Sequence, residues 1–76
     1  MRPPTFVRRL TSQEKQRLEE GLRSRDAFTL RRSQVLLASA RGYRPSEIAP
    51  ILGCATHSVV NAIRAFRAEG LDCLGA

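Results

Sequence analysis

Residues 44–69, RPSEIAPILGCATHSVVNAIRAFRAE, decide how the whole chain reads. They divide at Gly53 into a short helical pattern and a longer one. In the longer pattern Val59, Ala62, Ile63 and Phe66 recur at i, i+3, i+4 and i+7, the single buried stripe of an α-helix. That helix is expected to start at Ala55 or Thr56, to reach about Glu69 and to stop at Gly70. The shorter helix opens at Pro45, which suits a first helical position, and carries Glu47 in its first turn, where the helix dipole favours an acid. Ile48, Ala49, Ile51 and Leu52 are expected on its inner side. Pro50 falls inside it and removes one backbone donor, so a kink or a 3₁₀ stretch is expected there. Gly53 supplies the positive φ that a sharp turn requires.

Two helices joined this way form a helix-turn-helix, whose second helix lies in the major groove of DNA while the first crosses the backbone. The geometry needs a small residue where the helices cross, a glycine at the turn and apolar residues that lock the pair. Ala49, Gly53 and the set Ile48, Leu52, Val59 and Ile63 meet these needs. The residues left outside have base-reading chemistry. Asn61 can pair bidentately with adenine and Arg64 with guanine, Thr56 and His57 can donate or accept, and Val60 can meet a thymine methyl. Arg44, Ser46, Arg67, Arg31 and Arg32 are candidates for phosphate contacts, which fix register without reading sequence. An ordinary amphipathic helix with a solvated polar face is the competing reading, and His57 taken alone reads as a surface or helix-start histidine rather than a base reader.

Outward from this stretch, the rest of the chain supports an all-α bundle of about four helices. Residues 1–10, MRPPTFVRRL, hold two prolines and three arginines without periodicity, and are expected to form an extended basic arm. Such an arm either follows DNA or is a plain terminus with Phe6 or Val7 tucked against the core. Residues 11–76 form the helical domain, with the motif at 45–69. Thr11 and Glu14 make a capping box that starts a first helix to about Arg23, with Leu18 and Leu22 on one face and Gly21 weakening it. A second helix opens after Asp26, a good N-cap, and runs to Arg41 with Gly42 as its stop. Phe28, Leu30, Val35, Leu36, Leu37, Ala38 and Ala40 spread around it, so it is central to the bundle. After Gly70 the tail LDCLGA can fold Leu71 and Leu74 back.

Composition narrows the function. A chain of 76 residues is one domain that buries roughly 60% of its unfolded surface, which leaves little room for a deep substrate cleft. The net charge is +6, and 12 of the 13 basic residues are arginine, the side chain best shaped for phosphates and guanine edges. The bland alternative is a merely basic surface. Cys54 and Cys73 with His57 give three candidate metal ligands where a structural zinc site takes four, so no metal and no cofactor are expected. No apolar run approaches the roughly 18 residues of a membrane span. The expected protein is intracellular, in the cytoplasm with the nucleoid, and not an enzyme.

Residues 31–74, RRSQVLLASARGYRPSEIAPILGCATHSVVNAIRAFRAEGLDCL, resemble the N-terminal DNA-binding region of bacterial insertion-sequence transposases of the mariner superfamily. The shared features are RR-x-QVLL-x-SA-x-G, EIA-x-x-LG, V-x-x-x-I-x-x-F and EGL-x-x-L, together with FVRRLTSQE ahead of the first helix. The resemblance implies a paired-like, homeodomain-like domain that binds the terminal inverted repeats of a mobile element. It also implies that a second DNA-binding segment and a catalytic domain with three metal-binding carboxylates follow in family members, so this chain is expected to be an excised domain or a truncated gene product. Where relatives cap the two motif helices with serine or threonine, Arg44 and Ala55 stand here, and Thr56 is a candidate cap one residue later. A stand-alone regulator that binds a palindrome as a homodimer, and a protein-interaction module using the first helix or the Leu71/Leu74 tail, are the alternatives to double-stranded DNA binding by a transposase domain.

Overall fold

The computed structural model describes residues 6–74. Four α-helices occur in chain order: α1 (Ser12–Gly21), α2 (Ala27–Ala40), α3 (Pro45–Leu52) and α4 (Thr56–Glu69). A 3₁₀ turn, Gly70–Leu74, closes the described chain. The predicted all-α fold is what the chain adopts. Helix α2 is its axis, packing against α1, α3, α4 and the 3₁₀ turn. The core gathers Leu18 from α1, Val35 and Leu36 from α2, Ile48 and Ala49 from α3, and Val59, Ala62, Ile63 and Phe66 from α4. Leu74 joins them at 2% exposure, so this part of the tail builds the core and offers no surface for an interaction module.

Local chemistry explains the helix starts. The Thr11 hydroxyl accepts the Glu14 N–H at 3.1 Å while the Glu14 carboxylate accepts the Thr11 N–H at 2.9 Å. Asp26 accepts the Phe28 N–H and the Thr29 hydroxyl. At α3 only half of such a box exists: the Arg44 N–H donates to Glu47 at 2.9 Å, since a guanidinium cannot accept. At α4 the N-cap is Ala55, which has no acceptor, and Thr56 is the first helical residue rather than a later cap.

Several expectations need correcting. Leu22 is 42% exposed because α1 ends at Gly21, one residue before it. Ile51 lies 70% exposed, since the inner side of α3 is made by Pro45, Ile48 and Ala49, with Leu52 half-buried against the core. Phe28 and Ala40 of α2 are also exposed. Pro50 does not break α3, which is α-helical from Pro45 to Leu52. Its ring is exposed, and so is Ser46, the residue whose carbonyl loses its helical partner, so the loss falls on a side open to solvent.

Residues 6–10 are strapped to the body. The Val7 N–H donates to Ser39 Oγ of α2 at 2.8 Å, and Val7 is buried. Arg8 makes a two-pronged ion pair with Glu14, at 2.8 and 2.6 Å, and its guanidinium stands 4.7 Å from the Phe66 ring centre. Within its described part, the basic arm is thus a structural strap, and Arg8 faces its own carboxylate. Residues 1–5, with Arg2, lie outside the described residues. The Arg8 hydrogen bonds, then the Thr11 N–H, hold the Glu14 carboxyl down at about 2 from an ordinary 4.5. A depressed carboxyl stabilises the fold above its unfolded value near pH 4.5, and the contribution disappears as pH falls toward 2. Glu14→Gln keeps an acceptor for the Thr11 N–H but removes the ion pair with Arg8, and is expected to cost up to about 1 kcal/mol at neutral pH, the worth of an exposed pair. It should also flatten the acid limb of a thermal-melt series; an unchanged limb would assign the acid sensitivity elsewhere.

Candidate nucleic-acid interface

Helix α4 presents two opposite faces. Val59, Ile63 and Phe66 have no solvent exposure and Ala62 has 3%, so the predicted stripe is buried along its length. At 100° per residue, His57, Asn61, Arg64 and Ala68 fall on the other side, and all four are exposed. Asn61 Nδ2 lies 3.4 Å from His57 Nε2, one turn back, which joins the two polar side chains on that face. The turn before α4 holds Gly53 at φ 70°, and the Gly53 and Cys54 N–H groups both reach the Ala49 carbonyl. These bonds fix the turn from α3 into α4, and the first residues of α4, Thr56, His57 and Ser58, are all exposed.

The other candidate residues divide by position. Thr56 is exposed at the start of α4. Val60 is half-buried, about a quarter-turn from the outermost line, and is the member of the reading set least open to a base. Arg44 and Ser46 stand exposed at the α3 N-terminus, at the other end of that helix from the Gly53 turn. Arg67 is exposed but donates through Nη2 to the Phe6 carbonyl at 3.2 Å, so it also anchors the strap. Arg31 and Arg32 of α2 line one open groove together with Ser58 and Asn61 of α4. Arg31 is exposed there. Arg32 is half-buried, donates to the Cys73 carbonyl at 3.1 Å and stacks 4.6 Å from the Phe28 ring centre. The fold thus brings these arginines to the flank of the candidate reading helix.

Sequence reasoning passed over Ser58 and Phe28 as interface residues. Ser58 lies on the α4 flank that faces α2, and only the crossing of the two helices reveals its neighbours. Phe28 shares a wheel line with Val35, two turns on, but at the helix end the Arg32 guanidinium lies over its ring in place of a core partner, and it is 50% exposed. Burial pushes the Cys73 thiol up from its ordinary value, while Cys54 lines the groove; neither is in a disulfide. Among the described residues no three His, Cys, Asp or Glu side chains stand together as a metal site would require, and no helix is long and apolar enough to cross a membrane.

A family model described as a homeodomain-like domain matches residues 26–75, well over half of the chain, and the chain belongs to that family. The match spans α2, α3, α4 and the 3₁₀ turn, which leaves α1 and the strap as additions to the three-helix unit. A homeodomain-like helix-turn-helix is a DNA-binding module. No curated protein and no solved structure matches the chain.

Proposed function

We propose that this domain binds double-stranded DNA site-specifically, with α4 in the major groove. The observation that carries the reading is the exposed line His57, Asn61, Arg64 on a helix whose opposite stripe is fully buried, directly after the Gly53 turn. An α-helix fits the major groove, and amide and guanidinium groups read adenine and guanine edges there. Thr56 and Val60 border the line. Arg44 and Ser46 at the α3 N-terminus, Arg31 and Arg32 beside the Ser58 and Asn61 side of α4, and Arg67 farther along supply phosphate contacts. The faces differ in charge: α1 carries Glu14, Glu19 and Glu20, whereas α4 has its one acid, Glu69, at its last position.

The finer reading is the terminal-repeat-binding domain of an insertion-sequence transposase, acting on bacterial DNA in the cytoplasm. It is supported by the RR-x-QVLL, EIA-x-x-LG and EGL-x-x-L signatures. We assign these residues recognition and no catalytic step, since their acids are dispersed over α1, the start of α2, α3, the end of α4 and the 3₁₀ turn.

The test is selection of a site from randomised duplexes, followed by affinity against salt. If about five phosphates are neutralised, log affinity should fall against log salt with a slope of roughly −4 to −5. Equal, weak affinity for every duplex would overturn site-specific binding. Recovery of the element's terminal repeats as the selected site would support the transposase reading, and a palindrome occupied by a dimer would favour a regulator.

A further inference from the structure

The groove beside α4 has features that reading bases does not use. It is an open furrow of about 450 Å³ between the first turns of α2 and the first half of α4, with Cys54 of the turn at one end. Its walls carry Phe28, Arg31 and Arg32 on one side and Ser58, Asn61 and Ala62 on the other, and none of its lining residues is acidic. Phe28 is held at the rim. Arg32, itself fixed by the Cys73 carbonyl, stacks on the ring, and half of the residue remains in solvent. A half-exposed aromatic ring anchored by a part-buried tie is not what a plain solvated surface needs.

We propose that this furrow is a channel for the sugar–phosphate backbone of one DNA strand, with Phe28 packing on a deoxyribose and Arg31 contacting the adjacent phosphate. The inference rests on the α4 reading above and adds a second wall to it. A helix about 10–12 Å across fills a major groove about 12 Å wide, so the two backbones must run along the helix flanks. The furrow is the flank on the Ser58 and Asn61 side. Its chemistry matches a strand: positive charge for phosphate, an apolar ring for the sugar, and the Ser58 hydroxyl as a further donor. Helical spacing puts the exposed Arg67 on the opposite flank of α4 from Ser58, where it would meet the other backbone, so the two contacts bracket α4 and set how deeply it sits.

The experiment uses the full 76-residue chain on the duplex that the wild type selects, with hydroxyl-radical footprinting, which reads deoxyribose protection, and with binding titrations. Phe28→Ala is expected to lose protection of a short run of sugars on one strand at one edge of the site, and to weaken binding roughly fivefold, as expected for about 1 kcal/mol of lost apolar burial. Phe28→Tyr keeps the ring and should restore both. Arg31→Ala should keep the base preference and lower the salt slope by about one. Thermal melts identify any loss due to misfolding, and Phe28→Tyr keeps the test valid if Phe28→Ala is less stable. If Phe28→Ala and Arg31→Ala both leave the protected sugars and the affinity unchanged while Arg64→Ala weakens binding, the backbone channel is wrong and the α4 reading stands. If the wild type selects no site at all, both fall together.

Discussion

Alanine at position 21 is expected to lower the melting temperature by roughly 10 °C, about 2 kcal/mol for a domain of this size. Helix propensity alone predicts the opposite sign, since alanine is favoured over glycine inside a helix by about 1 kcal/mol. The crossing of α1 over α2 decides otherwise. Gly21 is buried, and a Cβ there would overlap Ser33 Oγ and lie 3.0 Å from Ser33 Cβ. Ser33 has no exposure and its hydroxyl lacks a hydrogen-bond partner among the described residues, so it is confined on every side. Rotating the hydroxyl away relieves one contact and leaves the Cβ–Cβ approach. Replacing the serine tests this directly. Ser33→Ala alone should stabilise by about 1 kcal/mol, because it removes an orphan buried hydroxyl. In the Ser33→Gly background, Gly21→Ala should cost much less than in the wild type, a coupling that the double-mutant cycle measures. A Gly21→Ala variant melting at or above the wild type would mean that α1 does not approach α2 so closely.

Gly21 also marks the limit of what the chain discloses without its structure. Along α4 every decisive residue could be read, because a stripe at i, i+3, i+4 and i+7 is a property of one helix and needs no partner to define it. The Thr11–Glu14 box, the Asp26 cap and the Gly53 turn are equally local, and all are present. Gly21 looked like a flaw in α1 because its purpose lies on another helix. Ile51 and Phe28 looked internal because periodicity identifies an apolar line without saying where the covering helix stops. Pro50 looked disruptive because the cost of a missing N–H depends on whether the freed carbonyl faces water. The candidate site divides in the same way. His57, Asn61 and Arg64 follow from the wheel, whereas the tie from Arg32 to Cys73 spans 41 positions, the strap from Arg67 to Phe6 spans 61, and the furrow at Phe28 joins two helices; each arises only once the helices pack.

The largest functional effects are expected from Asn61→Ala and Arg64→Ala. A bidentate amide–adenine or guanidinium–guanine pair discriminates by about 1–3 kcal/mol, so each variant should lose roughly 5- to 150-fold in preference for the selected site over one changed at the matching base pair. Both side chains are exposed on the face opposite the core, so neither truncation should move the melting temperature by more than about 0.5 kcal/mol of stability. That separates them from Arg67→Ala, which also removes an anchor of the N-terminal strap and should lower stability along with the salt slope. Glu20→Ala on α1 serves as the control and should leave binding unchanged. Residues 61 and 64 are one turn apart, so their losses need not add. The double variant should approach the affinity that the wild type shows for unrelated duplexes, and should go no lower. Below that floor the attraction is carried by phosphate contacts, which Arg31, Arg44 and Ser46 still supply, and residual binding should therefore stay steeply salt-dependent. If both single variants instead keep the wild-type preference at every base pair, the exposed face of α4 is not the reader, and the buried stripe behind it is only a packing device.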